Sequence, residues 1–338
     1  MSYKNPRPLR LLAGRESEVF TDAIGERIGT TPIKRNIEIF PNGEIGVELQ
    51  ESVGGSEIYI VQTFIPGKIN DGIIEFLLLA DAAIRAGADR IYAVLRIYPY
   101  ARQDRRERNK RNRHRRRPIS ARVIADLVSS KCDGVLAFDL HAEQIEGFFG
   151  NVHVENILPF KIFSDHLKEL GIIKEAYASD AEKPVFVGPD VNSGNKTSDY
   201  AQAFNLSYAI IDKERVNGSE TRVRSIIGDV SGHTCVIIDD IVASGSTLIK
   251  AKDALIKNGA TKVIAMVTHF EGRTKETMEK LANAGFDKIV ITDSVTAPEE
   301  LKNYPVFEVL SLVPLATKVI EKVYTSESLQ SVVYDVEA

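Results

Sequence analysis

The chain has 338 residues, 43% of them hydrophobic and 27% charged, which is enough apolar sequence to form two globular domains. Its formal net charge of −4 at pH 7 argues against a general affinity for nucleic acid. The sequence contains no apolar run as long as a membrane span, and residues 1–10 lack the apolar core of a signal peptide, so a cytoplasmic location is predicted.

Strand-like apolar runs alternate with helical patterns along the whole chain. In the first half the predicted strands are Leu9–Ala13, Ile58–Thr63, Ile91–Leu95 and Val135–Phe138, and the predicted helices are Glu16–Ile28, Gly72–Ala86 and Ser120–Ser130. In the second half a helix near Pro159–Leu170 precedes predicted strands at Val185–Val187, Tyr208–Ile211, Val236–Ile238, Val263–Val267, Ile289–Ile291 and Val306–Leu310. Such alternation produces parallel sheets covered by helices, so we predict an α/β protein of two similar domains, 1–155 and 156–330.

The segment Phe40-Pro41-Asn42-Gly43-Glu44 precedes a short alternating run, Ile45–Leu49. Pro, Asn and Gly supply turn geometry. Taken alone, the segment is therefore predicted to be a turn between two strands.

The most basic stretch of the chain is Arg105–Arg117, which follows Arg102-Gln103-Asp104. Clustered arginines repel one another and carry no core-forming pattern, so we predict a loop that is mobile until an anion is bound. Such a loop can become ordered over a triphosphate. The alternatives are a solvated loop and a nucleic-acid-binding arm.

Polar residues follow three of the predicted strands. Asp139 and His141 follow Val135–Phe138, and a lone histidine in such a place is more often structural than a ligand. Asp190 follows Val185–Val187. The tripeptide Lys213-Glu214-Arg215 follows Tyr208–Ile211; its two cations project to the same side if the backbone is extended, so both can face one anion. Taken alone, the tripeptide is an exposed charged turn.

Residues 235–247 predict a strand, a loop and a helix, because an apolar run leads to two carboxylates, small polar residues and the helical pattern Leu248, Ala251, Leu255. Ligands bind where parallel strands end and helices begin, since free N–H groups and the positive end of the helix dipole point there. Three hydroxyl side chains and a glycine that permits close approach complete a predicted phosphate-binding loop, at Ser244, Gly245, Ser246 and Thr247.

Asp239 and Asp240 stand directly before this loop, although negative charge repels phosphate. The pair is explained if the ligand also carries vicinal hydroxyls, or if a divalent cation lies between carboxylate and phosphate. A sugar phosphate meets both conditions. The alternative is an acidic strand end that only starts a helix.

The segment 239–247 resembles the phosphoribosyl pyrophosphate (PRPP) loop of type I phosphoribosyltransferases and PRPP synthases. From about Leu9 to Val332 the chain resembles the ribose-phosphate pyrophosphokinase (PRPP synthase) family. This resemblance implies a type I phosphoribosyltransferase-like fold in both domains. It also implies transfer of the diphosphoryl group of MgATP to the C1 hydroxyl of ribose 5-phosphate, giving PRPP and AMP, by a homo-hexamer.

The resemblance implies a role for each motif. The residues expected to bind ATP are Phe40, Asn42, Gly43, Glu44, Arg102, Gln103 and Asp104. The residues expected to bind ribose 5-phosphate are Asp239, Asp240, Ala243, Ser244, Gly245, Ser246 and Thr247. His141 and Asp190 are expected to bind Mg²⁺, and Lys213 and Arg215 to stabilise charge on the phosphoryl group in transfer.

Five features depart from the usual pattern of the family. Ala243 replaces an aspartate, the basic loop is longer, and residues 191–194 replace a segment with a glycine pair. Gly54 replaces an arginine and residues 272–275 replace Ser-Gly-Pro at positions that the resemblance places in a regulatory site, so altered or weak allostery is predicted. Two rival functions are a phosphoribosyltransferase, which shares the loop and an alanine like Ala243, and a catalytically weak or silent regulatory subunit. The first would not need the segments at Phe40 and Arg102, and the second should have lost His141, Lys213 or Arg215.

Overall fold

The computed structural model describes residues 7–106, 116–217 and 220–333, but not the side chains of residues 215–217, 220–222, 331 and 333. Most of the predicted mobile loop, residues 107–115, therefore lies outside the described residues. The chain divides into two compact units, the first formed by Met1–Leu158 with Val313–Leu329 and the second by Pro159–Leu312 with Gln330–Ala338. The boundary predicted between residues 155 and 156 stays a prediction.

The first unit is built on a parallel five-stranded sheet of order β1-β4-β5-β6-β7. Its strands are β1 (Leu9–Ala13), β4 (Glu57–Gln62), β5 (Arg90–Leu95), β6 (Gly134–Phe138) and β7 (His153–Ile157). A separate antiparallel hairpin is formed by β2 (Arg35–Ile39) and β3 (Ile45–Leu49). The helices are α1 (Glu18–Ile28), α2 (Ile69–Arg85), α3 (Ser120–Ser129) and a C-terminal helix, Val313–Thr325.

Hydrophobic patterning explains these elements. Every residue of β4 is buried, as expected for an inner strand of a parallel sheet that helices cover. Helix α2 buries Ile73, Phe76, Leu79 and Ala83, which recur at helical spacing along one face. The helix ends just before Gly87, whose φ of +84° is the left-handed conformation that glycine adopts without strain.

The second unit is built on a seven-stranded sheet of order β10-β9-β8-β11-β12-β13-β14, parallel except for the β9–β10 hairpin. Its strands are β8 (Val185–Gly188), β9 (Ser207–Asn217), β10 (Glu220–Ile227), β11 (Thr234–Val242), β12 (Lys262–Phe270), β13 (Lys288–Thr292) and β14 (Phe307–Leu310). The helices are α4 (Phe160–Glu169), α5 (Gly194–Ala203), α6 (Ser246–Lys257) and α7 (Lys275–Ala282). In chain order the C-terminal helix of the first unit is α8, and Gln330–Val333 is α9.

The predicted fold class is confirmed: both sheets are mainly parallel, and each belongs to a compact unit with flanking helices. Strands β7 and β10 and helices α5, α7, α8 and α9 were not predicted. The predicted end of β9 at Ile211 is wrong, because antiparallel pairing with β10 extends the strand to Asn217. The interpretation of residues 213–215 as an exposed turn is therefore wrong as well. None of the helices in the described ranges is long and apolar enough to span a membrane.

Candidate active site

Strand β11 and helix α6 form the strand, loop and helix predicted for residues 235–247. Cys235 to Ile238 are buried between the neighbouring strands β8 and β12, which fixes the direction in which the strand leaves the sheet. The strand ends at Val242 and α6 begins at Ser246, so residues 243–245 form the connection at the carboxyl edge of the sheet. This is the position at which parallel α/β sheets bind ligands.

Gly245 is required in this connection for two reasons. Its φ is +69°, which is strained for any residue with a side chain. A Cβ atom at this position would also lie 2.8 Å from the Leu281 side chain. The absence of a side chain thus lets helix α7 pack directly against the loop.

The two carboxylates before the loop are half-buried and close to each other. The Asp240 N–H donates a hydrogen bond to Asp239 Oδ1 at 3.0 Å. Burial, followed by repulsion from Asp240 and Asp190, raises the pKa of Asp239 well above 3.8, while Lys196 acts in the opposite direction. An excess of negative charge at this edge favours a ligand that brings hydroxyl donors or a cation.

Asp190 begins the loop that follows β8. Its Oδ1 atom accepts hydrogen bonds from the N–H groups of Asn192 at 2.9 Å and Ser193 at 3.2 Å. Ser193 Oγ donates in return to the Asp190 carbonyl at 2.7 Å. These bonds hold the carboxylate where the loop enters α5. Residues 191–194 are thus ordered by a capping box, although the glycine pair usual in the family is absent.

Lys213 lies within β9, opposite Val223 of β10. Its Nζ atom is buried and has no hydrogen-bond partner among the residues that the structure describes. Burial lowers the pKa of Lys213 below 10.5; Asp190 and Asp239 act to raise it, and Lys250 acts to lower it further. A buried ammonium group without a partner is costly, and a bound anion would remove that cost.

Arg215 also lies in β9, two residues further along the strand. The extended backbone predicted for residues 213–215 is therefore present. The Arg215 side chain lies outside the described residues.

In the first unit, residues 40–44 form the turn between β2 and β3, as predicted. The Phe40 N–H donates to the Glu44 carbonyl at 2.8 Å, and the Glu44 N–H donates to Asn42 Oδ1 at 3.1 Å. Gly43 has a φ of +89° and closes the turn onto the Phe40 carbonyl. The Phe40 ring lies against Gly46 and is 41% exposed, so one aromatic surface is accessible for stacking.

The two ends of the basic loop are held together at its base. Ser120 Oγ donates to Gln103 Oε1 at 2.7 Å, and the Ala121 N–H donates to the Gln103 carbonyl at 3.2 Å. These two hydrogen bonds of Gln103 are called the clasp below. Arg102 lies exposed next to it. Gln103, before the undescribed residues 107–115, is therefore joined directly to the start of α3, after them.

Asp104 is buried and accepts a hydrogen bond from Gln144 Nε2, so it supports the loop base instead of facing solvent. Asp139, after β6, is buried with a φ of +45°, and its N–H donates to the Ile157 carbonyl at 3.0 Å. His141 is exposed two residues later. The turn after β6 thus brings His141 to the carboxyl edge of the first sheet.

Comparison with known proteins identifies the family. The family described as the N-terminal domain of ribose phosphate pyrophosphokinase matches residues 9–131, and the phosphoribosyl transferase domain family matches residues 153–302. The ribose-phosphate pyrophosphokinase of Vibrio vulnificus (strain YJ016) is 34% identical over 327 residues, covering 96% of this chain and 98% of that protein. The ribose-phosphate pyrophosphokinase of Haemophilus influenzae is 36% identical, with the same coverage. The chain belongs to the ribose-phosphate pyrophosphokinase family.

A solved structure supports the same family assignment. The crystal structure of phosphoribosylpyrophosphate synthetase from Mycobacterium smegmatis matches with a TM-score of 0.82 and 30% identity, covering 95% of this chain and 100% of that chain. The resemblance that the motifs indicated is therefore confirmed.

Two lysines near the candidate site were not among the residues predicted from the sequence. Lys280, in α7, donates a hydrogen bond to Ser246 Oγ at 2.7 Å. Lys196, in α5, lies near enough to Asp239 to lower its pKa. Neither belongs to a motif. The basic character of α5 and α7 is no stronger than that of other surface helices, so only the fold identifies these residues.

Proposed function

We propose that the chain transfers the β,γ-diphosphoryl group of ATP to the C1 hydroxyl of ribose 5-phosphate and produces PRPP and AMP. As a member of its family it is an enzyme, a transferase of diphosphoryl groups. The observation in the structure that best supports this reaction is the buried, unpartnered ammonium of Lys213 near Asp190 and Asp239. Phosphoryl transfer is favoured by a positive charge that is already fixed in place before the substrate binds.

In the second unit, the proposed ligand is ribose 5-phosphate. The Asp239 and Asp240 carboxylates would accept hydrogen bonds from the ribose hydroxyls. Backbone N–H groups and hydroxyls of residues 243–247 would hold the 5′-phosphate, since the connection lies at the start of α6. Ala243 removes one possible side-chain contact but leaves these backbone donors in place.

Lys213 and Arg215 are the proposed catalytic residues. The C1 hydroxyl attacks the β-phosphorus in line, and the bond from that phosphorus to the α-phosphate oxygen breaks as AMP leaves. The enzyme must therefore position both substrates and neutralise charge on the diphosphoryl group. Lys213 provides a charge that is already desolvated, and arginine provides a planar pair of donors.

In the first unit, we assign ATP to two segments. Phe40 would stack on the base, while Asn42, Gly43 and Glu44 shape the turn that presents it. Arg102 and Gln103 would contact the phosphates at the base of the basic loop. Asp104 supports that base from within the unit.

Magnesium is the proposed cofactor, with His141 in the first unit and Asp190 in the second as candidate ligands. Within residues 7–106, 116–217 and 220–333, no cluster of three or more His, Cys, Asp or Glu side chains forms a preformed metal centre. The carboxylate oxygens of Asp190, Asp239 and Asp240 nevertheless fit a hard cation, because burial, followed by repulsion from Asp240 and Asp190, raises the pKa of Asp239, and a bound cation would offset both effects. Bound Mg²⁺ would neutralise phosphate charge.

The organisation of the protein is proposed on the same basis. The ATP segments and the basic loop define an N-terminal domain, 1–155, and the ribose 5-phosphate loop defines a C-terminal domain, 156–330. We further propose a homo-hexamer in the cytoplasm, where ATP and sugar phosphates are available. Sedimentation equilibrium would test the hexamer.

Phosphorus-31 NMR of the purified protein with Mg²⁺, ATP and ribose 5-phosphate tests the reaction. We expect AMP to appear together with a diphosphate on C1 of the sugar. Unchanged ATP would favour a silent regulatory subunit, and ADP would show transfer of the γ-phosphoryl group alone. Added PRPP consumed with a nucleobase would favour a phosphoribosyltransferase. A sample without ribose 5-phosphate controls for ATP hydrolysis.

A further inference from the structure

Helix α7 and the segment before it pack against the loop proposed to bind the 5′-phosphate. The Glu271 N–H donates to the Val242 carbonyl at 2.8 Å. A Cβ atom on Gly272 would lie 2.8 Å from the Ala243 carbonyl oxygen, so the two backbones are in close contact. With the contact between Leu281 and Gly245, these interactions fix both ends of the segment 271–281 beside the loop.

Lys280 lies next to Leu281 on this anchored helix, and its Nζ atom donates to Ser246 Oγ at 2.7 Å. Ser246 Oγ in turn lies 3.4 Å from Ser244 Oγ, so the ammonium group reaches the row of hydroxyls in the loop. Lys280 forms no ion pair with any carboxylate in the described ranges. Residues 243–247 themselves carry no charged side chain. Lys280 of α7 therefore places a positive charge beside this loop.

We propose that Lys280 binds the 5′-phosphate of ribose 5-phosphate and makes the site selective for a phosphorylated sugar. The assignment rests on the proposed function of the loop. A phosphate placed at the start of α6 among the hydroxyls would lie within reach of Lys280 and would replace Ser246 as its partner. Charge-assisted hydrogen bonds of this kind are stronger than the neutral bonds that the serines supply. Because Lys280 is exposed, salt weakens its contribution.

The test compares Lys280→Met with Lys275→Met, which removes an exposed lysine from the same helix. We expect Lys280→Met to raise the KM for ribose 5-phosphate about tenfold, the loss typical of one screened charge-assisted contact. The KM for ATP and kcat should change less than about twofold, because Lys280 contacts neither the nucleotide nor the reacting atoms. Lys275→Met should match the wild type, and Lys280→Arg should retain most of the affinity.

Binding of ribose 5-phosphate to the full chain, followed by phosphorus-31 NMR without ATP, separates this proposal from the reaction. If the wild type binds the sugar phosphate but forms no PRPP, the proposed function fails while the role of Lys280 is still measured. A Kd raised about tenfold in Lys280→Met alone supports the role. Equal Kd values for the wild type and Lys280→Met, or equal losses in both methionine variants, would overturn it.

Discussion

Replacing Lys213 with methionine should lower activity and raise stability at the same time. In the unliganded protein, the buried Nζ atom without a partner costs about 1–3 kcal/mol. Attraction to Asp190 and Asp239 offsets part of this cost, but the pKa of Lys213 is lowered, so burial outweighs attraction. Methionine fills a similar volume without charge. We therefore expect the free energy of unfolding to rise by about 1 kcal/mol, or about 2–4 °C in Tm.

The stability difference should depend on pH in a defined direction. Below its lowered folded pKa, Lys213 is protonated in the folded and unfolded states, so the full cost of burying the charge is present. As pH rises from the lowered folded pKa towards the unfolded value of 10.5, the unfolded state binds more protons and wild-type stability increases relative to the variant. The advantage of Lys213→Met should therefore shrink with rising pH in denaturant titrations.

The kcat of Lys213→Met should fall, although its stability rises. Removing one preorganised charge donor lowers kcat by about 10²- to 10³-fold. Lys213→Arg should retain part of the activity, because the charge remains but its position changes. Lys257→Met, at the exposed C-terminal end of α6, is the matched control and should leave turnover unchanged.

The assay measures AMP formation from MgATP and ribose 5-phosphate, alongside unfolding curves for each variant. A kcat of Lys213→Met within about tenfold of the wild type would refute the catalytic role. A loss of stability larger than about 1 kcal/mol would refute the inference that the buried ammonium is a cost in the free protein.

Three further substitutions, two with matched controls, test other parts of the site. Asp239→Asn removes the cost of burying this carboxylate and its repulsion from Asp240 and Asp190, so it should raise Tm but lower kcat/KM for ribose 5-phosphate about 10- to 100-fold. Gly245→Ala adds both backbone strain and a clash with Leu281, so it should destabilise the protein by about 2–4 kcal/mol. Gly29→Ala has a similar φ but open space, and should cost only about 1–2 kcal/mol. Ser120→Ala breaks the clasp at the loop base and should raise the KM for ATP about two- to tenfold.

Three results would contradict these expectations. If Asp239→Asn lowers Tm, the carboxylate is stabilising and the repulsion argument fails. Equal losses of stability in Gly245→Ala and Gly29→Ala would show that packing against α7 contributes nothing. Ser130→Ala is the control for Ser120→Ala, because the Ser130 hydroxyl donates to the Leu127 carbonyl near the end of α3. An equal effect of both variants on the KM for ATP would show that the hydrogen bond between Ser120 and Gln103 has no specific role.

Local patterns predicted the inner strands and the loop of the second unit well. The apolar run 235–238 identifies β11, because a strand buried on both faces is continuously apolar. The spacing of Leu248, Ala251 and Leu255 identifies α6, because a helix buried on one face repeats apolar residues every three or four positions. Strand β10 is different. Its alternating polar residues resemble a surface loop, and only antiparallel pairing with β9 makes it a strand.

The sequence by itself determined the fold class, the family and the chemical groups available at the strand ends, since these depend on residue types and local spacing. It did not determine that the pKa of Asp239 is raised, that the Nζ atom of Lys213 is buried without a hydrogen-bond partner among the described residues, or that Lys280 lies beside Ser246. Lys280 and Ser246 are 34 residues apart and meet because Leu281 packs on a glycine. Burial and the distance between charges are properties of the packed chain, and only the tertiary structure decides them.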